Sequence, residues 1–222
     1  EKPAAVVNRL AGSSQLSPNT AHCHAMGTTL AQMHLAARSY EHQQPNLRGL
    51  SWWNHTVPDI LPFLSTSQAH TLQHELAFQN HVQSSYAYAA LPSGAVHADA
   101  FRNNVMFVDN QLSGVFDFYF AGVDSWLFDL GVCLNDWCID LASGSFHPEH
   151  LTAMLQGYEE VRPLSGAERA LFNPMLRAAA LRFWISRLWD FHLPREASLL
   201  QAHDPGHFER VLLERLYNPV TL

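Results

Sequence analysis

Lysine is almost absent: the 222 residues hold one, Lys2, against twelve arginines. Enzymes that handle nucleotide phosphates commonly anchor them with a lysine. Lys2 stands at the extreme N-terminus, ahead of any glycine-rich loop, so this stretch of chain brings no such anchor. Cysteine is scarce too. Cys23, Cys133 and Cys138 are odd in number and form no C-x-x-C pair, which points to reduced, mostly buried thiols in a reducing cytoplasm. No apolar run reaches the roughly 18 residues that span a bilayer, so no membrane partner is expected. The net charge of −7 comes without a basic cluster, which argues against nucleic acid. The opening Glu1-Lys2-Pro3 is neither a start methionine nor a signal peptide and reads as the middle of a longer chain.

What is present is apolar and aromatic. Hydrophobic residues make up 47% and charged ones 15%, with six tryptophans and thirteen phenylalanines, enough for one sizeable core. Ala4 to Val7 reads as a short strand, followed by a polar connector over 9–14. Ser17 or Asn19 offers a helix N-cap, and Met26, Leu30, Met33 and Ala37 recur at helical spacing through 20–38. A second helix is predicted over 67–89. Val105 to Val108 reads as a strand, Asp109-Asn110-Gln111 as a turn, and 112–118 as the returning strand of a hairpin. Beyond Trp126 the spacing predicts helices over 127–141, 147–158, 166–189 and 206–217. The expectation is a mainly helical α+β lobe with one embedded hairpin.

Oxygen-bearing residues gather at the open end of that hairpin. Asp99 precedes the first strand, Asn104 starts it, and Asp117 ends the second. Such oxygens suit Mg²⁺, a hard ion that keeps waters and bridges phosphate oxygens. A carboxylate not bound to metal can accept a proton from a substrate hydroxyl. Asp117 stands between Phe116 and Phe118, where a charge without a partner is costly. The plainer alternatives are a loop aspartate capping a turn and polar residues closing a hairpin.

The order His97-x-Asp99-x-x-x-x-Asn104, then a hairpin, then Asp117-Phe118, resembles the aminoglycoside/choline kinase-like superfamily, whose members share the protein-kinase-like fold. Gly114 to Ala121, Asp124 to Leu130 and Asn135-Asp136-Trp137-Cys138 are similar to its homoserine kinase branch, and Arg182 to Leu188 continues the likeness. Most superfamily members carry a glycine near position 119, where this chain has Tyr119. The resemblance implies a C-terminal catalytic and substrate-binding lobe over 13–222, with 1–12 as the last N-lobe strand and hinge and the N-lobe absent. On its own such a lobe is expected to bind ATP weakly and to turn over little.

The same resemblance implies ATP-dependent phosphorylation of a small hydroxylated amino acid, L-homoserine first. Asp99 would be the base, Asn104 and Asp117 the Mg²⁺ ligands, and His97 and Asp129 the supports of the loop. Asn8 and Leu10 would offer backbone contacts to adenine. Arg102, Arg182 and Arg187 are candidates for the substrate carboxylate, because a guanidinium fork matches it bidentately. Asp136 and Asp140 are candidates for its ammonium, and Tyr119 and Trp137 for pocket walls. Any single arginine here can equally serve a structural ion pair. The rivals are a choline- or aminoglycoside-directed kinase, a metal-dependent hydrolase using His97 and Asp99, and a non-catalytic lobe. His22-x-His24 and His203-x-x-x-His207 have metal-like spacing, but Pro205-Gly206 interrupts the second pair.

Overall fold

The computed structural model describes residues 7–193 and 203–222. The expected strand at Ala4 to Val7 falls, except for Val7, outside them. Helix α1 (Thr20–Ala36) opens with a capping box in which Asn19 and His22 satisfy each other's backbone. It is followed by α2 (Leu50–Ile60), α3 (Thr66–Gln83) and the single turn α4 (Tyr86–Ala89). Then come β1 (Ser93–Val96), β2 (Val105–Val108), β3 (Gln111–Val115) and β4 (Gly122–Ser125). Five helices follow among the described residues: α5 (Trp126–Trp137), α6 (Pro148–Val161), α7 (Gly166–Ala170), α8 (Phe172–His192) and α9 (Gly206–Tyr217). No described helix is long and apolar enough to cross a membrane.

Several boundaries differ from the expectation, each for a local reason. The returning strand stops at Val115 rather than Phe118, because Asp117 turns into the left-handed region at φ 65° and ends the pairing. The helix expected over 67–89 breaks at Ser84-Ser85, where the Ser85 hydroxyl caps a new turn. The stretch 166–189 is two helices parted at Leu171. Residues 127–141 stop being helical at Trp137, since Ile139 pairs with Phe146. Helix α2 was not anticipated; Pro58 within it hides the helical pattern. Nor was the ribbon in which β1 pairs antiparallel with β4, from Ser93–Ser125 to Val96–Gly122.

The loop between β1 and β2 links the two ribbons. In the hairpin, Val105 faces Val115 and Val108 faces Gln111, with an irregularity after Met106. Ser13 exchanges two backbone hydrogen bonds with Phe107, both 2.9 Å, which lays residues 10–13 along the hairpin edge. Gly12 makes this possible: at φ +91° a Cβ there would lie 2.0 Å from the Phe107 carbonyl oxygen.

Behind the ribbons lies the helical core. Helix α8 is apolar on most sides and runs through its centre, with Leu181, Trp184 and Ile185 fully buried. Arg177 on α8 pairs with the buried Glu75 on α3, and Arg215 ties α9 to Asn135 of α5 at 3.1 Å. Cys23, Cys133 and Cys138 are all free and buried. Helices α1 and α6 touch through reciprocal glycines. A Cβ on Gly27 would meet the Met154 carbonyl oxygen at 2.1 Å, and one on Gly157 the His24 carbonyl oxygen at 2.2 Å.

Gly→Ala inside a helix ordinarily stabilises by up to about 1 kcal/mol. Here the close approach reverses the sign. Gly27→Ala and Gly157→Ala are each expected to destabilise by about 1–3 kcal/mol, the usual cost of overpacking, read as a lower midpoint in urea denaturation.

Candidate active site

Four residues on one face of α5 hold the loop that runs from β1 to β2. They recur at i, i+4, i+7 and i+8, the spacing that keeps side chains on one side of a helix. Asp129 accepts the backbone N–H of His97 at 2.9 Å and of Ala98 at 2.7 Å. The Cys133 thiol and the Trp137 indole N–H, the latter at 2.9 Å, both donate to the Ala100 carbonyl. Asp136 accepts the Arg102 backbone N–H at 2.8 Å and its Nε at 3.2 Å.

Asp129 is fully buried. Burial alone would raise its proton affinity, but the hydrogen bond from His34 and the loop N–H groups outweigh it and hold the carboxyl below its usual range. His34 Nε2 lies 2.9 Å from Asp129 and Nδ1 lies 2.8 Å from the Tyr158 hydroxyl. Arg162 then donates to that hydroxyl at 3.1 Å and grips Glu168 with two bonds of 2.9 Å from one nitrogen. His34 was missed in the sequence. Its signal was position: it falls on the buried stripe Cys23, Met26, Leu30, His34, where a polar ring must find a partner.

Within the loop, Ala98 sits at φ 62°, a conformation that costs a residue with a Cβ about 1–2 kcal/mol and persists only when its surroundings impose it. His97 is buried; its Nδ1 faces the Asp99 N–H at 3.3 Å and its Nε2 the Phe116 carbonyl at 3.0 Å. Its ring lies against Phe118. Asn104 donates its side-chain N–H to the Asp99 carbonyl at 2.8 Å, which leaves Oδ1 as its acceptor end. The Asn104 carbonyl in turn accepts from Phe116 N at 3.1 Å, so Asn104 and Asp117 lie at the same end of the hairpin.

Burial pushes the Asp99 carboxyl up to about 6. Arg182 and His97 work against that shift, while Asp117 and Asp136 add to it. All four groups are therefore close enough to Asp99 to be felt. Asp117 is exposed, as are Phe116 and Phe118, so the expectation of a charge wedged between buried aromatics does not hold.

The remaining candidates are placed as follows. Arg102 and Asp136 are partners of one another, and Arg102 also donates to the Leu16 carbonyl at 2.9 Å. Trp137, expected as a pocket wall, is a core residue 1% exposed. Tyr119 is 76% exposed at the surface beyond the hairpin. Asp140 caps the turn at Ser143. Arg187 on α8 covers Phe208 and donates to the Asp204 carbonyl at 3.3 Å. Asn8 is exposed, and Leu10 packs over Gly114. His22 caps α1 and His24 pairs with Glu160 at 3.1 Å. Among the described residues no group of three or more His, Cys, Asp or Glu is arranged to hold a metal ion.

The sequence matches the phosphotransferase enzyme family over residues 1–164. The chain belongs to that family. Among curated relatives, it is 58% identical over 221 residues to homoserine kinase of Polaromonas naphthalenivorans (strain CJ2), covering 100% of this chain and 70% of the relative. It is 55% identical over 215 residues to homoserine kinase of Janthinobacterium sp. (strain Marseille), covering 97% of this chain and 67% of the relative. Among solved structures it superposes on amicoumacin kinase hAmiN in complex with AMP-PNP, Ca²⁺ and Ami. The TM-score is 0.65 at 16% identity, over 95% of this chain and 64% of that one. That likeness shows the fold, which this chain shares as a mainly helical lobe.

For this phosphotransferase the loop anchor is testable apart from any assay of turnover. Removing one partner of a buried, hydrogen-bonded charge typically costs about 3–5 kcal/mol. Asp129→Ala is expected to destabilise by that amount in chemical denaturation, because two loop N–H groups and His34 lose their acceptor.

Proposed function

We propose that the full-length protein transfers the γ-phosphoryl group of ATP to the side-chain hydroxyl of L-homoserine, releasing ADP and O-phosphohomoserine. The observation that carries the reading is Asp99. It is a half-buried carboxylate with its proton affinity raised to about 6, on a loop fixed from below by α5. The 58% identity to a homoserine kinase supports the choice of substrate.

Asp99 orients the hydroxyl and accepts its proton as the oxygen bonds to the γ-phosphorus and the bond to the ADP oxygen breaks. With an affinity near 6 it is deprotonated at neutral pH yet basic enough to take that proton. His97 and Asp129 hold the loop backbone and so fix where Asp99 points. Asn104 Oδ1 and the Asp117 carboxylate form a two-oxygen donor set that fits a hard cation such as Mg²⁺, which keeps most of its waters. When bound, that ion offsets charge on the nucleotide phosphates.

Of the expected strand and hinge at 1–12, residues 1–6 lie outside the described residues; 7–12 would serve as the hinge to a nucleotide-binding lobe, and 13–222 as the catalytic lobe. The backbone at Asn8 and Leu10 would offer the contacts to adenine. The reading is supported by the way 10–13 lie along the hairpin through Ser13 and through Ser113, whose hydroxyl donates to the Ala11 carbonyl at 2.6 Å. Arg102 and Asp136 act on the substrate through the loop they jointly hold, with Tyr119 and Arg187 at the rim.

The test is phosphoryl transfer by the full-length protein with L-homoserine, choline and an aminoglycoside as acceptors. Turnover is expected with L-homoserine. Asp99→Ala should lower kcat by about 10²–10⁴-fold, the usual share of a general base, with the denaturation midpoint retained. Turnover of choline or the aminoglycoside in place of homoserine would overturn the substrate, and an unchanged kcat the mechanism.

Asp99 must be charged to act, and burial raises its affinity to about 6. The rate is therefore expected to rise with pH through about 6 and to level off above it. A profile flat from pH 5 to 8 would count against Asp99 as the base.

A further inference from the structure

The core contains a guanidinium without its full set of hydrogen bonds. Arg182, on α8, is 2% exposed, and among the described residues its Nε and Nη2 have no hydrogen-bond partner. One turn further along the same helix, Ser186 Oγ is also buried and without a partner. Residues four apart share a helix face, so the two form one polar patch inside an apolar core.

Buried polar groups are almost always satisfied, and leaving a buried charge unpaired is expensive. Other buried arginines here obey that rule: Arg162 grips Glu168, and Arg215 donates to Asn135 and to the Gly144 carbonyl. Arg182 is the exception. It rests on two aromatic rings, Phe183 at 3.7 Å and Phe120 at 4.8 Å from their centroids. Burial pulls its proton affinity down to about 10, and the charge that most opposes the shift is Asp99. Arg48 brings a second guanidinium toward the same Phe120 ring, 5.8 Å from its centroid, while stacking on Trp52.

We infer that Arg182, with Ser186 beside it, binds the carboxylate of the substrate while Asp99 faces its hydroxyl. The inference rests on the proposed function and adds what sets its specificity. The planar fork of Arg182 matches a carboxylate, and the Ser186 hydroxyl, one turn on along the same face, would donate to one of its oxygens. An acceptor that lacks the carboxylate leaves the buried guanidinium unpaired, and a site built on a polar group discriminates most strongly against the molecule that cannot meet it. This singles Arg182 out from Arg102, whose guanidinium is already spent on Asp136 and Leu16.

The experiment compares L-homoserine with 3-aminopropan-1-ol, the same chain without its carboxylate, using the full-length protein. The wild type should favour L-homoserine in kcat/KM. Arg182→Gln should raise KM for L-homoserine by about 10–100-fold, the range of a charge-assisted hydrogen bond. It should leave KM for ATP within about 2-fold and abolish the preference between the two acceptors. Ser186→Ala, a milder change, should raise KM for L-homoserine by several-fold only, and Arg182→Lys should recover part of the loss. A wild type that turns over no L-homoserine overturns the proposed function and this inference with it. A wild type active on L-homoserine overturns the inference alone if Arg182→Gln keeps its KM or raises KM for ATP instead. Should Arg182→Gln fail to fold, equal wild-type kcat/KM for the two acceptors, or an unmoved KM in Ser186→Ala, is decisive against it.

Discussion

The buried carboxylate of Asp129 is the interaction on which the rest of the lobe depends. A bare charge at full burial would be expelled or neutralised. This one persists because two loop N–H groups and His34 converge on it. His34 in turn leads through Tyr158 and Arg162 to Glu168. The loop after β1 is thus fastened to α1, α5, α6 and α7 by one chain of charges and hydrogen bonds. The reach of that chain explains how Ala98 is kept at positive φ and how Asp99, one residue on, is held on a fixed backbone.

The same architecture sets the electrostatics above it. Asp99 is lifted by burial and by Asp117 and Asp136, and restrained by Arg182 and His97. Burial is the largest of these influences and leaves the carboxyl raised to about 6. Arg182 and Asp99 are each the leading opposing charge on the other's ionisation. A charge brought to Arg182 would therefore be felt at Asp99.

Much of the lobe was legible because its signals are local. The apolar spacing of α1, the hairpin turn at Asp109, and the His97 to Asn104 stretch each lie within a few residues of sequence, and the family likeness follows from the last of these. What was hidden depends on partners far along the chain. The β1–β4 ribbon joins residues about thirty apart, and neither strand alternates cleanly in burial. Asp117 looked wedged between buried aromatics, yet the left-handed turn at that position exposes all three residues. Arg102 and Asp136 read as two separate contacts for a substrate, whereas folding makes them each other's partner. His34 carries no motif, and Ser186 lies in a stretch similar to the family with no role attached to it; only their burial shows that they need a partner.

The central claim is that the α5 face fixes the loop so that Asp99 meets the hydroxyl to be phosphorylated. A crystal structure of the full-length protein with a non-hydrolysable ATP analogue and L-homoserine tests it most directly. The substrate hydroxyl is expected within about 2.6–3.2 Å of the Asp99 carboxylate, with Asp129 still accepting from His97 and Ala98. A hydroxyl lodged against another residue, out of reach of Asp99, would contradict it.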